Sequence, residues 1–582
     1  MHPRFYTRFT PQGWTVAGGM PKPATMVDQE SQVLPRHARF RRWRRPDGWS
    51  LGALAIAALV LAPIVAVVWI AAHPSEPIWD HLRSTVLPGY IANSLALMAL
   101  VGVGTGLIGT GGAWLVVMYD FPAKRWLQWA LLAPMALPGY IAAYALVDFL
   151  EYAGPVQTSL RALFGWQSAR DYWFFEIRSL WSAAFVLTLA LYPYVYLLTR
   201  AALREQSASL TEVARALGCS PRAVFWRVAL PLARPAIAAG MAIAMMETLA
   251  DFGTVNFFAV QTLTTGIFTT WLQGYNAGGA AQIACIILAL VLVLAAAEKM
   301  SRRQRRYHAL NARRTPHQPV ALRGLRAWLA ALACFAPFAL GFVLPIAVLA
   351  NQGIAHFGAW ADAALWRAAL HTVVLGAVTA SITLGAALVL VYGVRLSSRR
   401  LPRLLLPVAT IGYAAPGAVL AIGVLIPLAA LDNWLADGME ALFGGRFGLL
   451  FTGSIAALVL AYTVRFFAIG QGAVDSALGR VTPSMDMAAR SLGRNAGQVL
   501  GAVHLPLIRG SLQVGALLIF VDVVKELPAT LILRPFNFET LATHVYNQAS
   551  LENLPQGAPA ALLVALVGLL PLVLIARAER SR

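Results

Sequence analysis

Charge is what this chain has least of: 12% of its 582 residues are Asp, Glu, Lys or Arg, about half the share of a soluble protein. Apolar residues make up 58%, in runs of about 18 or more that recur along the whole length. This excludes a soluble globular chain and argues an integral α-helical membrane protein. Strict two-residue alternation is missing, which excludes a β-barrel. Cysteine is nearly absent. Cys219, Cys285 and Cys334 make no disulfide framework and read as packing residues. Lysine is almost as rare. None of Lys22, Lys124, Lys299 and Lys525 stands in a GxxxxGK[ST] context, so the chain has no phosphate loop of its own. No cluster of His, Cys and acid has zinc or catalytic spacing. His504 and His544 stand isolated and are assigned no chemistry.

What charge there is has one dominant sign. The net charge of +20 could suggest nucleic acid, but the basic residues gather in short loops between apolar runs, the positive-inside pattern. Twelve spans are read near 51–72, 92–118, 127–149, 179–199, 236–258, 281–298, 327–350, 371–394, 404–429, 451–470, 511–533 and 559–576. With the N-terminus inside, most of the 46 Lys and Arg fall on the cytosolic side, and an even span count puts both termini there. Residues 1–50 read as a basic, disordered cytosolic tail, 51–298 as a first six-helix lobe, 299–326 as a basic cytosolic linker and 327–582 as a second lobe.

The halves repeat. EVARALGCSPRAVFWRVALPLARPAIAAG (212–240) aligns without a gap to MAARSLGRNAGQVLGAVHLPLIRGSLQVG (487–515), at an offset of 275 residues. Gly218 falls on Gly493, Pro231 on Pro506, Glu247 on Asp522 and Asp251 on Glu526. Six spans followed by six in one orientation predict parallel repeats about an axis along the membrane normal, with a pathway between the halves. Each repeated loop (204–234 and 479–509) predicts a short amphipathic helix, a glycine that permits a sharp turn, and a Leu-Pro that opens the next span.

The spacing E-A-A-x3-G-x9-I-x-L-P in these loops resembles that of the permease subunits of bacterial ABC importers. It is carried by Glu212, Val213, Ala214, Gly218, Val228, Leu230 and Pro231, and again by Met487, Ala488, Ala489, Gly493, Val503, Leu505 and Pro506. Val213 departs from Ala, both Val from Ile, and Met487 from Glu; Asp486, one residue earlier, is the candidate to supply that charge. LPGYIAAYALVDFLEYAGPVQTSLR (137–161), METLADFGTVNFFAVQTLTTGIF (246–268) and VDVVKELPATLILRPFNFETLA (521–542) resemble the fused, two-lobed permeases of iron(III) importers. The resemblance implies an all-α type I importer permease in the bacterial inner membrane. It also implies two ABC ATPase subunits docked on the coupling loops, ATP and Mg held by those subunits, and a periplasmic binding protein delivering ferric iron. The chain itself would bind no cofactor. Related permeases carry thiamine, polyamines, phosphonates or oxyanions.

Glu247 and Asp251 are four residues apart in an apolar run, and so are Asp522 and Glu526. On a helix each pair shares a face. Four carboxylates facing lipid would cost on the order of 10 kcal/mol, so they must face protein or water. Two readings stand: they line the pathway, suiting a hard cation that prefers oxygen ligands, or they are structural, with Lys525 and Arg534 neutralising the second pair. Tyr140, Tyr144, Asp148, Glu151 and Tyr152 form a stripe on the third span. It is either a set of outer cation contacts or an aromatic belt. The glycine-rich VGVGTGLIGTGG (101–112) reads as a packing surface, and Met241, Met245 and Met246 as gap fillers. Two rival functions are an ion-coupled twelve-helix transporter, whose uptake would survive ATP depletion, and an enzyme acting on lipid-linked substrates, for which no outer-face catalytic loop is found.

Overall fold

Long apolar runs leave the backbone one way to satisfy its N–H and C=O groups away from water, which is the helix. The computed structural model describes residues 48–205, 216–218, 220–303, 319–397, 412, 415–444 and 448–580, and these are almost wholly helical. Eleven helices are long and apolar enough to cross a membrane, or twelve crossings if a bent pair is one span. The first half supplies α1 (Gly48–Ala72), α2 (Leu87–Met118), α3 (Gly139–Leu150), α4 (Leu180–Glu205), α5 (Leu230–Ala250) and α6 (Ala277–Arg303). The second supplies α7 (Leu325–Ala355), α8 (Ala363–Leu396), α9 (Gly417–Phe443), α10 (Ile455–Leu478), the short α11 (Pro483–Ser491), α12 (Leu505–Lys525), α13 (Leu541–Ser550) and α14 (Leu554–Gly568).

The reading of twelve straight spans needs correcting. The expected third span, 127–149, is broken: Lys124–Ala136 and Gly139–Phe164 meet at 95°. Proline disfavours helix in the residue before it, and Leu137 is extended (φ −104°, ψ 118°) ahead of Pro138, which caps α3. In the ninth, a helix starts at Gly417 after the capping Pro416; most of 404–414 lies outside the described residues. The fifth and eleventh end early, at Ala250 and Lys525, because Asp251 (ψ 131°) and Glu526 (ψ 119°) are extended. Pro231 and Pro506 do not open their spans either. Helix begins upstream, and a π turn (Phe225–Ala229, Leu500–His504) precedes each Leu-Pro. That wider turn accommodates a residue with no N–H to donate.

Helices α2, α4 and α5 pack together in the first half, and α8, α10 and α12 in the second. Small residues set the separation. A Cβ on Gly240 of α5 would lie 2.6 Å from the Val195 Cα of α4. Gly102 and Gly106 of α2 receive the side chains of Met245 and Met241. The lobes 51–298 and 327–582 nevertheless exchange their first helices. Helix α1 packs against α8 and α9 as well as against α6 of its own half, and Ala53, Ala57 and Val60 are buried with Leu390 and Val391. Helix α7 packs reciprocally against α3, as well as against α14. Between the halves, α6 runs to Arg303, and Val320–Ala321 (β2) pairs in parallel with Tyr119–Asp120 (β1).

Candidate functional site

The two helix breaks build the site. Asp251 does not share a helical face with Glu247, as sequence spacing suggested; it sits past the end of α5. Its carboxylate accepts from Thr254 N (3.0 Å), Val255 N (3.2 Å) and Thr254 Oγ1 (2.9 Å), capping Gly253–Phe257. Glu526 repeats the arrangement past α12. It accepts from Ala529 N (3.1 Å) at the start of Pro528–Leu533, and its other oxygen meets Arg465 Nε of α10 at 3.2 Å. A Pro-Gly helix start faces each break. A Cβ on Gly139 would lie 2.9 Å from Thr254 Oγ1, and one on Gly417 2.3 Å from Glu526 Oε1. Glycine is required there by the closeness of approach.

One turn earlier stand Glu247 and Asp522. Asp522 is paired with Lys525 (3.1 Å); Arg534 instead pairs with Glu539 at 3.5 Å. Among the described residues Glu247 has no hydrogen bond or ion pair. The four carboxylates, Arg465 and Lys525 all line one cavity of about 170 Å³, with walls from both halves. The buried Tyr140 lines it too, its hydroxyl without a hydrogen-bond partner among the described residues. Both cations come from the second half. The repeat puts Ala190 and Ala250 where Arg465 and Lys525 stand, and these alanines line the opposite wall. Pairing offsets the cost of burying the second-half acids, whereas Glu247 and Asp251 of the first-half wall have no ion-pair partner among the described residues. Sequence reading missed Arg465. A lone arginine inside an apolar span is the signal that could have found it.

The tyrosine stripe does not converge. Helix α3 ends at Leu150, so Glu151 and Tyr152 leave its face. Tyr144 is buried against Phe257. Asp148 accepts from Gln352 Nε2 (3.1 Å), Glu151 from Arg178 (2.9 Å), and Arg161 stacks over Tyr152 (3.9 Å). Among the described residues no group of three or more His, Cys, Asp or Glu could hold a metal ion.

Of the loop residues, Glu212 and Ala214 lie outside the described residues. Gly218 and Gly493 both turn through positive φ (83° and 77°). On α11 Met487 is 65% exposed and Ala489 is buried. Asp486, expected to supply a surface charge, turns inward to Arg395 (3.2 Å) and His504 (2.5 Å). His504 is therefore not isolated, and neither is His544, which meets Glu539 at 3.3 Å.

With this geometry in view, comparison with known proteins is specific. The family described as binding-protein-dependent transport system inner membrane component matches residues 102–306. The Fe(3+)-transport system permease protein FbpB 2 of Haemophilus influenzae is 24% identical over 502 residues, covering 83% of this chain and 89% of that protein. The molybdenum transport system permease protein ModB of Escherichia coli K12 is 30% identical over 187 residues, 31% of this chain and 78% of that protein. The sulfate transport system permease protein CysT of the same organism is 26% identical over 255 residues, 42% and 88%. Gapless repeat, membrane helices and relatives converge: this chain belongs to the inner membrane components of binding-protein-dependent transport systems, and it is an importer permease, a transport component rather than an enzyme.

Proposed function

We propose that this permease moves ferric iron through the cavity between its halves. The observation that carries the proposal is Glu247, a carboxylate with no bonded partner among the described residues, on the wall that lacks cations. A hard trivalent cation takes oxygen ligands, and Glu247 and the Tyr140 hydroxyl offer them. The space is about 170 Å³. That suits a small ion with part of its hydration shell, and is below the roughly 300–1,000 Å³ of pockets for organic ligands. Thiamine and polyamines therefore suit it less well. The match to an Fe(3+) permease runs through both halves of this chain.

In this reading two ATPase subunits, which hold ATP and Mg, dock on the loops 204–234 and 479–509 at the cytosolic face, where both termini also lie. A periplasmic binding protein delivers the ion at the other face. The lobes then alternate between outward and inward openings. A second reading has support of its own. Two relatives are named for sulfate and molybdenum transport, and Arg465 and Lys525 are cations that an oxyanion such as sulfate would meet.

The test is uptake by the complete transporter in proteoliposomes, with labelled ferric iron, sulfate and molybdate offered separately. Iron uptake that requires ATP, and falls at least tenfold in Glu247→Gln while the ATPase subunits remain bound, is the expected result. Uptake of an oxyanion without iron would sink the iron reading. Uptake that persists on a membrane potential alone would sink the ATP-driven one.

A further inference from the structure

A second cluster of charged side chains lies far from the cavity, where α11 meets the membrane helices. His504 is wholly buried, and its Nε2 is 2.5 Å from Asp486 Oδ1 of α11. The other oxygen of Asp486 accepts from Arg395 Nη2 of α8 at 3.2 Å. The same guanidinium donates to Leu478 O (2.5 Å) and Val481 O (2.9 Å) at the end of α10. One turn before it, Tyr392 Oη donates to Ala496 O (2.8 Å), beyond the Gly493 turn, and its ring meets His504 edge-on at 5.4 Å. The planar fork of one arginine thus fixes α10 and α11 together, and His504 joins them to the π turn that leads into α12.

We infer that Arg395, Asp486 and His504 are positioning residues that make α11 one rigid body with α8 and α12. Motion of a docked ATPase is thereby passed to the cavity wall. This rests on the reading of α11 as an ATPase-docking helix, and is independent of which cargo crosses. Without the cluster, α11 would be tied to α12 only through the exposed, positive-φ Gly493 turn and its local backbone bonds. With it, displacement of α11 passes into α12, whose 21 residues extend about 30 Å to Asp522 and Glu526. Side chains that share partners in this way hold one geometry together, here through both Asp486 oxygens and His504 Nε2. The arrangement is one-sided. At the repeat offset, Asp120, Thr211 and Ala229 stand where Arg395, Asp486 and His504 do, so the first half cannot build the same triad.

The complete transporter tests this with Asp486→Asn, His504→Ala and His504→Gln, the last retaining an N–H donor. The cargo is whichever of ferric iron, sulfate or molybdate the parent complex imports. We expect copurification of the ATPase subunits within twofold of the parent. Cargo moved per ATP hydrolysed should fall at least fivefold in Asp486→Asn and His504→Ala, and recover at least in part in His504→Gln. Spin labels on Met487→Cys and Leu507→Cys, in a background without the native thiols, should give a narrow distance distribution in the parent and a broad one in His504→Ala. An unchanged transport ratio or an unchanged distribution overturns the proposal. Loss of the ATPase subunits overturns it too, since the triad would then serve docking or folding.

Discussion

Asp251 and Glu526 occupy equivalent places and do the same local work, accepting amide hydrogens at the first turn of the helix that follows. Asparagine caps nearly as well as aspartate, whereas alanine costs about 1 kcal/mol. Asp251→Asn should therefore keep the parent's thermal midpoint in detergent, and Asp251→Ala should lower it; equal midpoints for the two would deny the cap its role. Glu247 differs from all three other acids because nothing among the described residues bonds to it, so its loss should show in uptake and not in melting. Gly423 makes a separate point about packing. A Cβ there would lie 2.2 Å from the Pro63 carbonyl oxygen. Overpacking of this kind costs about 1–3 kcal/mol, so Gly423→Ala should destabilise the protein on a thermal ramp, while Gly472→Ala, in open space, should not.

Single elements acquire function here by ending early. Helix α5 reads in sequence as apolar well past residue 251, and nothing in that periodicity announces a stop. The stop comes from a carboxylate that finds amide donors ahead of it, and from the Pro-Gly start of α3 pressing on the same turn. That is why the acid pair was legible as an anomaly and its geometry was not. Outside the membrane helices, the connection from 165 to 179 is fastened by Asp171. Its carboxylate accepts from the amides of Ser168 (2.7 Å) and Gln167 (2.8 Å), which hold it below the usual carboxylate range. A depressed acid contributes stability above its ordinary pKa of about 3.9, and that contribution is lost as pH falls through the lowered value. Amide exchange at Gln167 and Ser168 should accordingly speed up on acidification below pH ~4 beyond its intrinsic pH dependence. In Asp171→Ala it should be fast at neutral pH already.

At the scale of the molecule, the exchange of α1 and α7 binds the lobes into one unit, consistent with the clustering of residues from Asp47 onward into a single compact body. Hydrophobic periodicity located these helices but could not say which half each would lie against, because an apolar face suits either. A protease site placed between residues 303 and 319 should therefore yield two fragments that copurify in mild detergent. Fragments that separated would show that the exchanged helices contribute little to holding the halves together.

Composition and spacing alone determined that this chain is membrane-embedded, duplicated and all-helical; that it is a permease rested on the family its loop motif resembles. Apolar length forces helices in a bilayer, and a gapless repeat over the coupling loops carries the family signal. Tertiary structure decided which buried charges are spoken for. Arg465 lies far in sequence from the glutamate it meets, His504 meets an aspartate 18 residues earlier across a turn, and Glu247 is set apart only by the absence of bonded partners among the described residues around it. Such pairings depend on the distance between folded segments, which the one-dimensional order of residues does not encode.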